Sequence, residues 1–139
     1  MPTKILVAFD GSEPAQRALG EALSIARAGA IPITVVAIAE LLEYADTRLE
    51  VDGAIAKEKH HLGSVLDAAL EKAATSDVPL THEVRVGHPS TVLLKMIREG
   101  SYDLLVIGDK GHSTMVSMFL GTTAYNLSRK APCSVLLVK

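Results

Sequence analysis

The residues best suited to chemistry form a glycine-rich segment late in the chain. Two residues separate Gly108 from Gly111, and nine residues separate Gly111 from Gly121 and Thr122. Paired glycines allow the main chain to approach a ligand closely and to turn successive amides toward it, as a phosphate requires. Gly121 and Thr122 open a predicted helix, whose free amides and positive dipole end favour an anion. The spacing predicts a phosphate-binding loop.

Side chains of the same segment can add hydrogen-bond donors to this loop. Lys110 and His112 supply N–H groups, and Thr122 supplies a hydroxyl. The sequence contains no Gly-x-x-x-x-Gly-Lys-Ser/Thr, and no Gly-x-Gly-x-x-Gly follows the first predicted strand, so neither Walker-type NTPase chemistry nor dinucleotide binding is indicated. Taken alone, Gly108 and Gly111 are equally compatible with a tight strand-to-helix turn.

A carboxylate near the start of the chain is the second candidate. Asp10 follows the first apolar run and precedes Gly11 and Ser12. Asp10 can hold a divalent cation or a ribose hydroxyl, although Asp before Gly is also an ordinary turn pair. We predict that Ser12 caps a helix rather than acting as a nucleophile, because the pattern places no histidine base near it.

Composition excludes several classes of partner. The formal net charge is −2, the 14 basic residues are scattered, and only 4% of residues are aromatic, which argues against binding nucleic acid. No segment has the length of a membrane span or the form of a signal peptide, so no membrane partner is expected. Cys133 is the only cysteine, which predicts a small buried hydrophobe in a reducing compartment. We therefore expect a cytoplasmic protein.

Strand-like and helix-like segments alternate along the chain. The predicted strands are short runs rich in Val and Ile: Ile5–Phe9, Ile33–Ile38, Val84–Val86 with a polar lead-in, Leu104–Ile107 and Val135–Val138. Apolar residues at helical spacing predict helices over Ala15–Ala26, Val51–Ala73, Pro89–Glu99 and Thr123–Lys130, with a long connection over Glu40–Asp52. This alternation predicts one doubly wound α/β domain spanning residues 1–139, with a parallel sheet and ligands at the carboxyl ends of its strands.

Two of the predicted strands have the character of sheet edges. The third alternates polar and apolar residues from Thr81 to Val86, which indicates that one face meets water. The last is apolar throughout, and no helix follows it before Lys139. An edge of this kind invites pairing with another strand.

Several segments together resemble the universal stress protein family. Its nucleotide-binding members carry Gly, two residues, Gly, nine residues, and then Gly followed by Ser or Thr, which Gly108, Gly111, Gly121 and Thr122 match. The family's first strand and turn resemble residues 4–12, and the start of its third helix resembles residues 87–89. Its fourth strand resembles residues 102–108, and its last strand resembles residues 131–138. The resemblance covers nearly the whole chain.

The resemblance implies an adenine nucleotide alpha hydrolase-like fold. Its sheet has five parallel strands in the order 3-2-1-4-5, helices on both faces, and a cleft between strands one and four. It further implies that ATP binds there, with Asp10 beside the nucleotide and adenine meeting Ile38. Asp10 is also the residue that we expect to hold any Mg²⁺ or Mn²⁺ bound with the ATP. The implied nucleotide-binding residues are Ala8, Phe9, Asp10, Ile38, Ile107, Gly108, Lys110, Gly111, His112, Gly121, Thr122 and Thr123.

For function, the resemblance implies a nucleotide-responsive regulatory or stress-response homodimer, paired through the strand at 134–138. A slow ATPase or phosphotransferase is one alternative, although no residue is placed to orient water. A nucleotide-free adaptor of the same fold is another. Asp109 and Ala124 favour the adaptor, because an acid near phosphates repels them and Ala124 lacks the hydroxyl that many nucleotide binders carry there.

Overall fold

The computed structural model describes residues 1–40, 48–109 and 124–139. The predictions made for Lys110, Gly111, His112, Gly121, Thr122 and Thr123 concern residues outside these ranges. The elements in chain order are β1 (Ile5–Ala8), α1 (Glu13–Arg27), β2 (Ile33–Ala39), α2 (Arg48–Ala73), β3 (Leu80–Val86), α3 (Pro89–Gly100), β4 (Leu104–Gly108), α4 (124–130) and β5 (Ser134–Val138).

The five strands form a single parallel sheet in the order β3-β2-β1-β4-β5. The chain winds outward from β1 through β2 to β3, then crosses to the other side of β1 to form β4 and β5. Because the direction of winding reverses between β1 and β4, this is the position where α/β sheets of this kind bind ligands. The prediction of a doubly wound α/β fold with this strand order is confirmed, as are the two edge strands.

Helices cover both faces of the sheet and create two apolar cores. On one face, α1 and α2 pack against side chains such as Val7, Val35 and Val106. On the other, α3 and α4 pack against Leu6, Val36 and neighbouring side chains, with Leu127 fully buried. Alternate residues of β1, β2 and β4 enter opposite cores, because successive strand side chains point to opposite faces.

Helix α1 begins as the sequence predicts. Ser12 is its N-cap, and the Ser12 Oγ accepts a hydrogen bond of 3.2 Å from the Ala15 amide. Pro14 lies in the first turn, where its missing N–H costs nothing. Glu13 and Arg27 place a negative charge in the first turn and a positive charge in the last, which complements the helix dipole.

Some element boundaries differ from the prediction. Strand β1 ends at Ala8, one residue early, and α2 begins at Arg48, inside the segment expected to be a connection. Helix α3 includes Gly100 and is closed by Ser101, which adopts a left-handed conformation with φ 55°. The Ser101 amide donates to Ile97 O, so this cap does not need glycine at that position. None of the helices in the described ranges is long and apolar enough to cross a membrane.

Candidate functional site

The strands around β1 end at different heights at the carboxyl edge of the sheet. Ala8, the last residue of β1, pairs with Val36, and β2 continues three residues further to Ala39. On the other side, Val106 is the last residue of β4 that pairs with β1, through Val7, and β4 continues two residues further to Gly108. At about 3.3 Å per residue, β2 therefore rises about 10 Å above the end of β1. The end of β1 therefore lies lower than the end of β2, and β1 is also the strand next to which the winding reverses.

Three of the predicted site residues line the α3/α4 side of this step. Ala8 and Ile38 are partly buried members of the core on that side, and Ile107 is 2% exposed within it. We call the place bounded by Ala8, Ile38 and Ile107 the notch. Ala8 pairs with Val36, and Ile38 lies two residues further along β2 on the same face of the sheet.

The Phe9 side chain points away from the notch, unlike that of Ala8. Its side chain is 4% exposed and belongs to the opposite core, beneath α1 and α2. The Phe9 amide donates to Val36 O at 2.9 Å, so it continues the sheet rather than facing a ligand. Any contact of Phe9 with a nucleotide would therefore have to use its carbonyl group.

Asp10 lies just beyond the notch, in the turn that leads into α1. The Asp10 Oδ1 accepts a 2.9 Å hydrogen bond from the Ser12 amide, and Gly11 adopts the left-handed region with φ 85°. Two features favour glycine at this position. The positive φ is one, and the other is that a Cβ at Gly11 would lie 2.8 Å from Val65 Cγ1. Asp10 is half-buried, and its carboxylate is held at the carboxyl edge of β1.

Gly108 is held against the first turn of α1. A Cβ at this position would lie 2.8 Å from both the carbonyl carbon and the Cβ of Pro14, and 3.0 Å from the Ala15 nitrogen. The sequence suggested that this glycine lets a ligand approach, or that it forms a tight turn. The structure adds a third requirement, the close packing of a strand end against a helix.

Asp109 follows β4 and is half-buried. Its amide donates to Val138 O at 2.8 Å, which extends the pairing between β4 and β5 by one residue. Ala124 is partly buried and packs against the α3/α4 core.

One polar residue at this edge was not predicted. Ser90 lies in the first turn of α3, is 9% exposed, and its Oγ has no hydrogen-bond partner within the described part of the chain. An unpaired hydroxyl buried in this way costs about 1–3 kcal/mol. The signal was available in the sequence, because Ser90, Leu93 and Ile97 share helical spacing, which places the hydroxyl on the buried face.

The histidines of the described part of the chain are exposed, and the cysteine is unsuited to catalysis. His60, His61, His82 and His88 are exposed, as expected for the adjacent pair on α2. Across the described ranges, no three His, Cys, Asp or Glu side chains come together in a way that could hold a metal ion. Burial raises the pKa of the half-buried Cys133 thiol, which keeps it protonated at neutral pH.

A second polar cluster lies at the amino edge of the sheet and is structural. The Asp103 carboxylate accepts hydrogen bonds of 2.8–3.0 Å from the amides of Thr3 and Lys4 and from the Thr3 hydroxyl. These bonds, led by those from the two amides, lower the pKa of Asp103. The Tyr102 hydroxyl donates to Thr34 Oγ1 at 2.8 Å nearby. This cluster ties the start of β1 to β4.

Comparisons with known proteins agree with the geometry. The sequence profile described as "Universal stress protein family" matches residues 1–139. The universal stress protein UspA from Lactobacillus plantarum is 25% identical and superposes with a TM-score of 0.87 over 99% of this chain and 97% of its own.

Two further solved structures share the fold and contain nucleotides. One is a universal stress protein in complex with cAMP, 24% identical, with a TM-score of 0.73 over 99% of this chain and 97% of its own. The other is a universal stress protein family member from Arabidopsis thaliana with AMP bound, 20% identical, with a TM-score of 0.68 over 99% of this chain and 92% of its own.

Proposed function

Because the chain belongs to the universal stress protein family, we propose that it binds ATP in the notch and that occupancy regulates a homodimer. The observation that carries this proposal is the meeting of Ala8, Ile38 and Ile107 on one side of the sheet, where its winding reverses. The relatives solved with AMP and with cAMP support an adenine nucleotide as the ligand class.

The phosphates would extend from the notch toward the segment that begins at Gly108. The motif completed by Gly111, Gly121 and Thr122 supplies main-chain amides for them, and Lys110, His112 and Thr123 supply side-chain donors. Adenine would then lie against Ile38, whose half-buried side chain offers an apolar surface.

Asp10 is suited to bind Mg²⁺ or Mn²⁺ together with the nucleotide. Its carboxylate oxygens are hard donors, and the turn that holds Asp10 keeps them at the carboxyl edge of β1. A single carboxylate binds such an ion mainly through shared phosphate oxygens and water, so metal and ATP should bind together. The ion would also offset the repulsion between Asp109 and the phosphates.

The regulatory output would depend on the dimer. Strand β5 forms one edge of the sheet, and Leu137 on it is 44% exposed. Antiparallel pairing of 134–138 with the same strand of a second copy would cover this edge with two-fold symmetry. A change at the notch can reach β5 through Asp109, whose amide is bonded to Val138. The same proposal places the protein in the cytoplasm, where a single cysteine stays reduced.

The proposed ligand can be tested directly by identifying any nucleotide that the purified protein releases. The protein is denatured, the supernatant is analysed by mass spectrometry, and nucleotide-free protein is titrated calorimetrically with ATP, AMP and cAMP in the presence of Mg²⁺. We expect ATP to bind, and we expect Asp10→Asn to weaken binding about 10-fold or more if the carboxylate holds the ion or the ribose. Asp103→Asn, at the opposite edge, is the matched control and should leave affinity unchanged. If neither released nor added ATP is detected, the proposal is wrong.

The alternative, a nucleotide-free adaptor of the same fold, makes a different prediction about Asp109. If the half-buried carboxylate is what prevents nucleotide binding, Asp109→Ser creates or sharply improves affinity for ATP. If ATP binds with a metal ion, the same substitution changes affinity little. Calorimetry of the two proteins side by side separates these readings.

A further inference from the structure

The two edges of the sheet differ in how they are protected against pairing. β3, at one edge, carries Glu83 and Arg85, which form an ion pair of 3.2 Å, and charged side chains discourage the addition of a strand. β5, at the other edge, contains no charged residue between Ser134 and Val138, and its Leu137 is 44% exposed. β5 is therefore the edge that is open to a further strand.

The hydrogen bonds within the sheet determine which main-chain groups of β5 face this open edge. β4 and β5 are parallel, with Gly108 opposite Val138, and the Asp109 amide donates to Val138 O at 2.8 Å. Because alternate residues of a strand bond to opposite neighbours, the even-numbered residues of β5 direct their amides and carbonyls toward β4. The amides and carbonyls of Val135 and Leu137 therefore point away from β4, toward the open edge.

The carbonyl group that follows β5 is already bound within the protein. The same alternation places Lys139 O on the side of the open edge, and Arg17 Nε of α1 donates to it at 2.9 Å. The Arg17 guanidinium is also 3.8 Å from Glu13 Oε2. A further strand therefore meets unoccupied carbonyls of β5 only at Val135 and Leu137.

These groups restrict how a second copy can pair with β5 in an antiparallel, two-fold arrangement. Odd-numbered residues must lie opposite one another, so the two-fold axis passes through residue 135, 136 or 137. An axis at Leu137 needs the Lys139 carbonyl that Arg17 holds. An axis at Val135 leaves only 134–136 of each β5 opposite each other. An axis at Leu136 pairs the strand along its whole length.

Resting on the homodimer proposed above, we infer that β5 pairs with a second copy so that Leu136 lies opposite Leu136 of that copy. Val135 then lies opposite Leu137 of the second copy on the α3/α4 face of the sheet, while Leu136 meets its copy on the α1/α2 face. Apolar pairs at such positions stabilise a sheet. The strand is therefore complementary to itself, and Arg17 opposes a shift of the pairing toward Lys139.

Disulfide cross-linking between two copies tests this register. Leu136→Cys is prepared with the matched controls Val135→Cys and Leu137→Cys, each in a Cys133→Ala background, and the proteins are treated with oxidised glutathione. In the inferred register the two Cα atoms of residue 136 are about 4.5 Å apart, within the range of a disulfide. Those of residue 135 or 137 are about 8 Å apart, beyond that range. We expect most of Leu136→Cys to become a covalent dimer on a non-reducing gel, and both controls to remain single chains.

Amide hydrogen exchange of the wild-type protein supplies a second measurement that needs no substitution. Exchange at Val135 and Leu137 should slow by about 10-fold or more between dilute, monomeric protein and concentrated, dimeric protein, because their amides gain partners only in the dimer. Leu136 and Val138 are bonded to β4 in both states, so their amides should exchange slowly at both concentrations.

The outcomes separate this inference from the homodimer on which it rests. Cross-linking of Val135→Cys or Leu137→Cys in place of Leu136→Cys overturns the register. So does rapid exchange at residues 135 and 137 in a protein that light scattering shows to be dimeric, because the dimer then uses another surface and ATP binding is unaffected. If the wild-type protein stays monomeric at every concentration, the proposed homodimer fails and the register fails with it.

Discussion

Gly108 and Pro14 touch so closely that a Cβ on the glycine would lie 2.8 Å from the proline carbonyl carbon. The end of β4 and the first turn of α1 are therefore packed main chain against main chain. The first glycine of the phosphate-binding motif is thus also needed for helix–strand packing, whether or not nucleotide is present.

Replacing Gly108 with alanine should destabilise the nucleotide-free protein by about 1–3 kcal/mol, because the added methyl group meets backbone that cannot rotate away. Urea unfolding measures this loss. Gly20→Ala is the matched control: Gly20 lies within α1 with nothing within 4 Å of an added Cβ, so the change should stabilise by up to about 1 kcal/mol. Equal stability of Gly108→Ala and wild type would contradict the packing described above.

A second prediction concerns Ser12, the N-cap of α1, which lies in the same first turn of the helix that packs against Gly108. Ser12→Ala removes the acceptor for the Ala15 amide and should cost about 1 kcal/mol of unfolding free energy. Ser24, in the same helix, bonds only to Gly20 O at 3.1 Å and is exposed, so Ser24→Ala should have little effect. Similar losses in both variants would show that Ser12 is not the cap.

We expect the Asp103 hydrogen bonds at the amino edge of the sheet to make the free energy of unfolding depend on pH. Because its hydrogen bonds lower the pKa of Asp103 in the folded state, Asp103 contributes stability above the pKa it has when unfolded. That contribution is lost as pH falls through the lower, folded pKa, below about pH 4. Urea unfolding between pH 7 and pH 3 should show a steeper acid loss for wild type than for Asp103→Asn. Parallel curves would contradict the prediction.

The dimer proposed through β5 predicts the effect of a charge on the exposed edge. Leu137→Lys places an ammonium group where two copies would meet, so light scattering at micromolar concentration should change from dimer to monomer. Thr81→Lys, exposed on the opposite edge strand β3, is the control and should remain dimeric. A monomeric wild-type protein would refute the dimer.

The sequence predicted the architecture because burial on both faces leaves continuous Val and Ile runs such as Leu104–Ile107. The strand order came from the family resemblance, since periodicity within a strand carries no information about its neighbours. The resemblance also named Ala8, Ile38 and Ile107 as site residues, but the height by which β2 rises above β1 was not predictable, because the register between these strands depends on tertiary packing. The burial of Ser90 was not predicted, although its spacing from Leu93 and Ile97 places it on the inner face of α3, because a serine in the first turn of a helix is usually exposed.

Binding of ATP in the notch is tested most directly by amide NMR. Uniformly ¹⁵N-labelled protein, with assigned resonances, is titrated with ATP and Mg²⁺. We predict that the shifts among described residues concentrate at the carboxyl edge, at Ala8, Asp10, Ile38 and Gly108, and leave Thr3 and Asp103 at the opposite edge unchanged. Shifts confined to the amino edge, or no shifts at saturating ATP, would contradict it.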